Sequence, residues 1–128
     1  MKPQTLKTPQ KISQKSILEF LESLQPRLQK EGIEALGLFG SFAKGSADNA
    51  SDIDIFIKSS RTFCKKYIGF KAFIFLDTLR ADLAQHFRRE VDLCDIASLS
   101  DTKQARLLDN AIWVYNTNDD KHKKACNE

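Results

Sequence analysis

The chain has no run of eighteen apolar residues and no signal-peptide hydrophobic segment. A membrane span and a secretory signal are therefore excluded, and a soluble cytoplasmic protein is expected. Cysteine is scarce: Cys64, Cys94 and Cys126 are odd in number and far apart, without a Cys-x-x-Cys pair. That spacing suits neither a zinc site nor a disulfide framework, so reduced thiols are expected. His86 and His122 are isolated from each other and from any ligand-like partner. Net positive charge is also missing from most of the chain. Lys2, Lys7, Lys11 and Lys15 place +4 in the first fifteen residues, which leaves −1 of the overall +3 for everything after them. A basic tail is present but no basic body, so direct nucleic-acid binding is not expected. No internal repeat stands out.

What remains, in 128 residues of which 41% are hydrophobic and 29% charged, is one ordinary globular domain. Residues 1–15 read as a flexible basic leader, 16–116 as the domain and 117–128 as a polar tail. Ser16 is placed to cap a first helix, with Glu19 completing a capping box. Ile17, Phe20, Leu21, Leu24 and Leu28 follow at helical spacing, Pro26 should kink or divide the helix, and Gly32 should stop it. Ile33–Phe39 reads as a buried strand ending at Gly40-Ser41, with a short helical turn over Ser41–Lys44. Asp52–Lys58 reads as the second strand, and Ser59–Lys66 as a polar connection. Phe73, Leu76, Leu79, Leu83 and Phe87 predict one apolar helical stripe over Phe70–Phe87. A third strand is expected over Glu90–Ile96, a helix over Asp101–Asn110 capped by Ser98 or Ser100, and a strand or helix continuation over Ala111–Tyr115. This order implies an α+β fold, a small mixed β-sheet packed against helices.

Two segments carry chemistry. Gly-Leu-Phe-Gly-Ser-Phe-Ala-Lys-Gly spans residues 37–45, and Ser-Asp-Ile-Asp-Ile-Phe-Ile spans 51–57. Alternate strand residues face one side, so Asp52 and Asp54 point together while Ile53, Ile55 and Ile57 enter the core. Two like charges on one face call for a counter-charge, and a divalent metal with a nucleoside triphosphate is the natural candidate. Of the later acids, Asp92 lies between Val91 and Leu93, while Asp95 should face the other side of its strand. Trp113 and Tyr115 read as core or interface, and Cys94 as a small core residue.

Together, Gly40-Ser41, the spacer, Asp52-Ile53-Asp54 and Val91-Asp92-Leu93 resemble the minimal nucleotidyltransferases of the DNA polymerase β superfamily, the MntA-like antitoxins. The resemblance runs from about Glu31 to Asn116. It implies a polymerase β-like fold that transfers a nucleoside monophosphate, AMP from ATP, to a hydroxyl. It assigns Asp52, Asp54 and Asp92 to two Mg²⁺ ions and to catalysis, with Asp92 helping to deprotonate the acceptor. It assigns Gly40, Ser41, Lys44 and Gly45 to the nucleotide. Relatives usually carry Arg at position 44; Lys44 keeps the charge but lacks the planar fork that holds phosphate bidentately. The chain is too short for a separate acceptor-binding domain. The implied acceptor is a tyrosine of a HEPN-domain toxin. An antitoxin acting by binding alone and an enzyme modifying a small molecule such as an aminoglycoside are the competing readings.

Overall fold

A computed structural model of the chain describes residues 12–48 and 50–117. Most of the expected leader and tail, with His122 and Cys126, lies outside them.

Helix α1 (Gln14–Ser23) starts three residues earlier than the sequence suggests. Its cap is Ser13, not Ser16. The Ser16 amide donates to Ser13 Oγ at 3.0 Å, and the Ser13 amide donates to Ser16 Oγ at 3.3 Å. The early start is anchored by Gln14, whose amide nitrogen donates to the carbonyls of Phe42 and Ala43. Pro26 divides the helix, falling in the first turn of α2 (Gln25–Glu31), where a missing N–H costs nothing. Gly32, at φ 99°, ends α2 as expected.

Strand β1 (Ile33–Phe39) runs into the five-residue helix α3 (Gly40–Lys44). Strand β2 is Ile53–Ser59, so Asp52 sits just before it. The connection expected over Ser59–Lys66 contains a helix, α4 (Arg61–Lys66), capped by Ser60 and pinned by buried Phe63. Helix α5 is Phe70–Phe87, as the sequence suggests. Then come β3 (Val91–Asp95), a 3₁₀ turn (Ile96–Ser98), α6 (Asp101–Leu107) capped by Ser100, and β4 (Ile112–Asn116).

The sheet order is β3-β2-β1-β4, with β1 antiparallel to both neighbours and β2 parallel to β3. A parallel pair needs a crossover, which α4 and α5 supply. One face of the sheet is buried under the helices. Leu36, Leu38, Ile53, Ile55, Ile57 and Val91 meet Ile17, Leu21, Leu79 and Leu83 in one core. His86 contributes to this packing by stacking on Phe20, the ring centres 3.6 Å apart. The other face carries Asp54, Phe56 and Asp92. Cys94 is half-buried and free. Cys64 is partly buried against the core.

The stripe on α5 differs from the one the spacing suggests. Leu79, Leu83 and Phe87 are buried and Leu76 is partly so, but Phe73 is 67% exposed. Phe75 takes the inward place instead, packing edge-on to Phe63 at 5.3 Å and tilted against Tyr67 at 4.8 Å. Among the described residues no helix is long and apolar enough to cross a membrane.

Candidate active site

The parallel register sets Asp54 directly opposite Asp92, and β1 sets Phe39 opposite Asp54 on its other side. The two carboxylates therefore rise from neighbouring strands on the sheet face not covered by the core. Asp54 is half-buried, while Asp92 and Asp52 are exposed. Burial pushes the Asp54 carboxyl above its usual range, and the negative charges of Asp92 and then Asp52 push it further the same way. Among the described residues, no hydrogen bond or ion pair compensates it. The acids thus form an uncompensated negative cluster of the kind a cation relieves.

Among the described residues no group of three or more His, Cys, Asp or Glu side chains is arranged to hold a metal ion. The Asp54–Asp92 pair nevertheless has the donor chemistry for Mg²⁺, which is usually held by one or two carboxylates with waters and substrate phosphates completing its shell.

Gly40 follows β1 at φ 74°, and a side chain there would strike Asp54: a Cβ would lie inside contact distance of Oδ2 and 2.9 Å from Cγ. Glycine is required by both conformation and space, so the backbone turns tightly over the carboxylate. Ser41 and Lys44 lie on α3, Ser41 partly buried and Lys44 exposed in the last turn. Gly45 caps α3 at φ 83° with open space around it. The structure thus brings Gly40 against Asp54, joins Asp54 to Asp92, and leaves Lys44 and Gly45 at the outer end of the same segment.

The approach to Asp52 is held by a residue the sequence did not single out. Arg89 Nη1 donates to the carbonyl oxygens of Asp48 and Ser51 at 3.2 and 3.1 Å, and its guanidinium lies 5.5 Å from the Phe42 ring centre. Ser51 closes the loop by accepting from the Asp48 amide at 2.8 Å and donating to Asp48 Oδ1 at 3.1 Å. An arginine just after a helix end gives no signal in sequence, since its partners are carbonyls some forty residues away.

Asp95 has a structural task instead. Its carboxylate accepts from the Ser59 amide at 3.1 Å, the Ser59 hydroxyl at 2.8 Å and the Ala97 amide at 3.0 Å. It faces away from the Asp54–Asp92 side, as alternation requires.

Residues 22–120 match the family described as Polymerase beta, Nucleotidyltransferase. The chain belongs to the polymerase β nucleotidyltransferase family. Among relatives of this nucleotidyltransferase, a Methanocaldococcus jannaschii protein named as a candidate protein adenylyltransferase is 27% identical over 99 residues, covering 77% of this chain and 98% of that protein. The backbone also resembles solved structures. One is a toxin–antitoxin complex with AMP-PNP, at TM-score 0.57 and 24% identity, covering 77% of this chain and 76% of that one. Another is a complex of tri-AMPylated Shewanella oneidensis HEPN toxin with MNT antitoxin, at TM-score 0.52 and 21% identity, covering 80% and 76%. At these identities the likeness extends to the fold.

Proposed function

We propose that this nucleotidyltransferase moves AMP from ATP to a hydroxyl on a partner protein, a tyrosine of a HEPN-domain toxin, and thereby acts as the toxin's antitoxin. The observation that carries the proposal is the in-register pair Asp54 and Asp92 beside the tight turn at Gly40. Family membership supports nucleotidyl transfer. The relative named for protein adenylylation supports a protein acceptor, and the structures of toxin–antitoxin complexes support the kind of partner.

In this reading Gly40 lets the triphosphate approach the backbone, and Ser41 donates its hydroxyl and amide hydrogens to phosphate oxygens. Lys44 adds positive charge at the outer end, and Gly45 turns the chain away. Asp54 and Asp92, with Asp52, would hold the divalent metal. When bound, that metal supplies positive charge against the phosphates and the attacking oxygen. Asp92, the exposed partner of the pair, accepts the acceptor's proton at a carboxylate oxygen. As that O–H bond breaks, the acceptor oxygen bonds to the α-phosphorus, and the bond to pyrophosphate breaks with its electron pair leaving on pyrophosphate.

The test is transfer itself. The purified chain, ATP labelled in its α-phosphate, Mg²⁺ and the cognate HEPN-domain protein should together give a labelled toxin. A D52N/D54N double variant separates catalysis from mere binding. If it neutralises the toxin fully at equal stoichiometry, binding suffices and the transfer reading is wrong.

A further inference from the structure

The polar sheet face does not account for the largest exposed apolar surface among the described residues. Ile68, Phe70, Phe73 and Ile74 are 70, 82, 67 and 59% exposed. Phe70, Phe73 and Ile74 fall at helical spacings of three and four, so they form one stripe along the outer face of the first turns of α5. Farther along, the same face carries Asp77, Ala81 and Gln85, so the apolar surface is confined to one end of the helix. Single exposed apolar residues need no explanation, but a contiguous cluster of large ones marks an interaction site.

The stripe is bounded by two recesses. On one side, a groove of about 480 Å³ has an apolar floor that includes Ile74, Phe75 and Leu79, and its charged lining residues are Arg27, Lys66 and Lys71. No acid lines it. Lys66 is engaged by Glu31 at 2.8 Å, which leaves Arg27 and Lys71 facing solvent. On the other side, a cavity of about 210 Å³ is lined by Phe73, Leu76, Asp77, Arg80 and Leu93. Leu93 follows Asp92 on β3, the sheet's edge strand. The apolar surface therefore runs from a cationic groove across α5 to the strand that carries one of the site's acids.

We infer that this surface docks the acceptor protein through an amphipathic helix whose apolar stripe covers Phe70, Phe73 and Ile74 and whose acidic flank meets Arg27 and Lys71. The inference rests on the protein-acceptor reading above and adds to it where the acceptor is gripped. The one-signed groove specifies an acidic occupant. The apolar centre with a charged rim has the anatomy of a specific interface. Leu93 ends the surface at the edge strand β3, on the helix-covered side of the sheet rather than the side of Asp92.

Binding of the purified cognate HEPN-domain protein to the full chain by isothermal titration calorimetry tests this, with two variants. F73S/I74S removes exposed apolar surface, and R27E/K71E reverses the rim. Both should keep wild-type thermal stability and nucleotide binding, because none of these side chains is buried or belongs to the acid cluster. F73S/I74S should weaken binding by about 30-fold or more, as loss of a central apolar anchor does. R27E/K71E should weaken it by about tenfold at low salt and by much less at high salt. Wild-type affinity in both variants overturns the docking surface while leaving adenylyl transfer standing, provided the wild type binds and labels its acceptor. Failure of the wild type to bind overturns both. Two further results overturn this occupant: a wild-type dimer in sedimentation that F73S/I74S dissolves, which gives the stripe to a second copy, and binding of a single-stranded RNA oligomer that both variants abolish.

Discussion

Replacing Asp54 by asparagine should abolish activity and, at the same time, stabilise the free protein. Asp54 and Asp92 sit opposite each other on adjacent strands, which lie about 4.8 Å apart. Two unit charges at that distance repel by roughly 0.9 kcal/mol in water and 3.5 kcal/mol at an effective dielectric of 20. Asp92 is exposed, so screening moves the figure toward the lower limit, about 1 kcal/mol. For a domain of this size, that corresponds to roughly 4 °C in melting temperature. The sign follows from proton linkage. The folded carboxyl titrates above its ordinary value, so between the unfolded and folded values the native state holds more protons, and stability falls as pH rises through that window. The penalty is complete at neutral pH and absent below the unfolded carboxylate value near 3.9. Melting curves of wild type and D54N from pH 3 to 8, without metal or nucleotide, should therefore coincide at the acid end and diverge in the variant's favour above it. Transfer by D54N should fall by more than the roughly 10–100-fold that losing a residue which only supports a metal ligand costs. A variant less stable than wild type at pH 7, or an offset independent of pH, would refute the reasoning.

Three further perturbations have defined outcomes. Gly40→Ala forces a left-handed conformation and a clash with Asp54; it should cost about 1–2 kcal/mol in urea unfolding and abolish nucleotide binding. Arg89→Ala releases the carbonyls of Asp48 and Ser51; it should cost about 1–2 kcal/mol, speed hydrogen exchange at residues 48–52 and lower kcat more than it raises KM, with Arg89→Lys restoring part of the loss. Asp92→Asn and Asp95→Asn should separate cleanly. The first should lose transfer with stability retained, while the second leaves Ser59 and Ala97 donors poorly satisfied, costs roughly 1–3 kcal/mol and keeps nucleotide binding at permissive temperature.

Where local chemistry decides, the sequence was legible. Gly32, Pro26 and the Gly40-Ser41 turn act through backbone conformation, and the alternation of Ile53, Ile55 and Ile57 fixes which face Asp54 takes. The same alternation put Asp95 on the far side from Asp54, where it holds Ser59. Other features depend on partners distant in the chain. Helix α4 has one core residue, Phe63, too little for a periodic pattern, although Ser60 was available as a cap. On α5, the run Phe70 to Leu76 is apolar in nearly every direction, so spacing could not decide between Phe73 and Phe75. Contacts with Phe63 and Tyr67 decided for Phe75, and Phe73 was left outside. The Ser13 cap was missed because Gln14 is held by carbonyls of α3.

The central claim is that the acid pair drives transfer of AMP to a protein hydroxyl, and intact-mass spectrometry of the acceptor tests it most directly. With wild-type chain, ATP and Mg²⁺, the cognate HEPN-domain protein should gain the mass of one or more AMP groups on tyrosine and lose toxicity. With D54N or D92N its mass should not change. An unmodified acceptor after incubation with folded wild-type chain that binds it, or equal modification by wild type and D54N, would contradict the account.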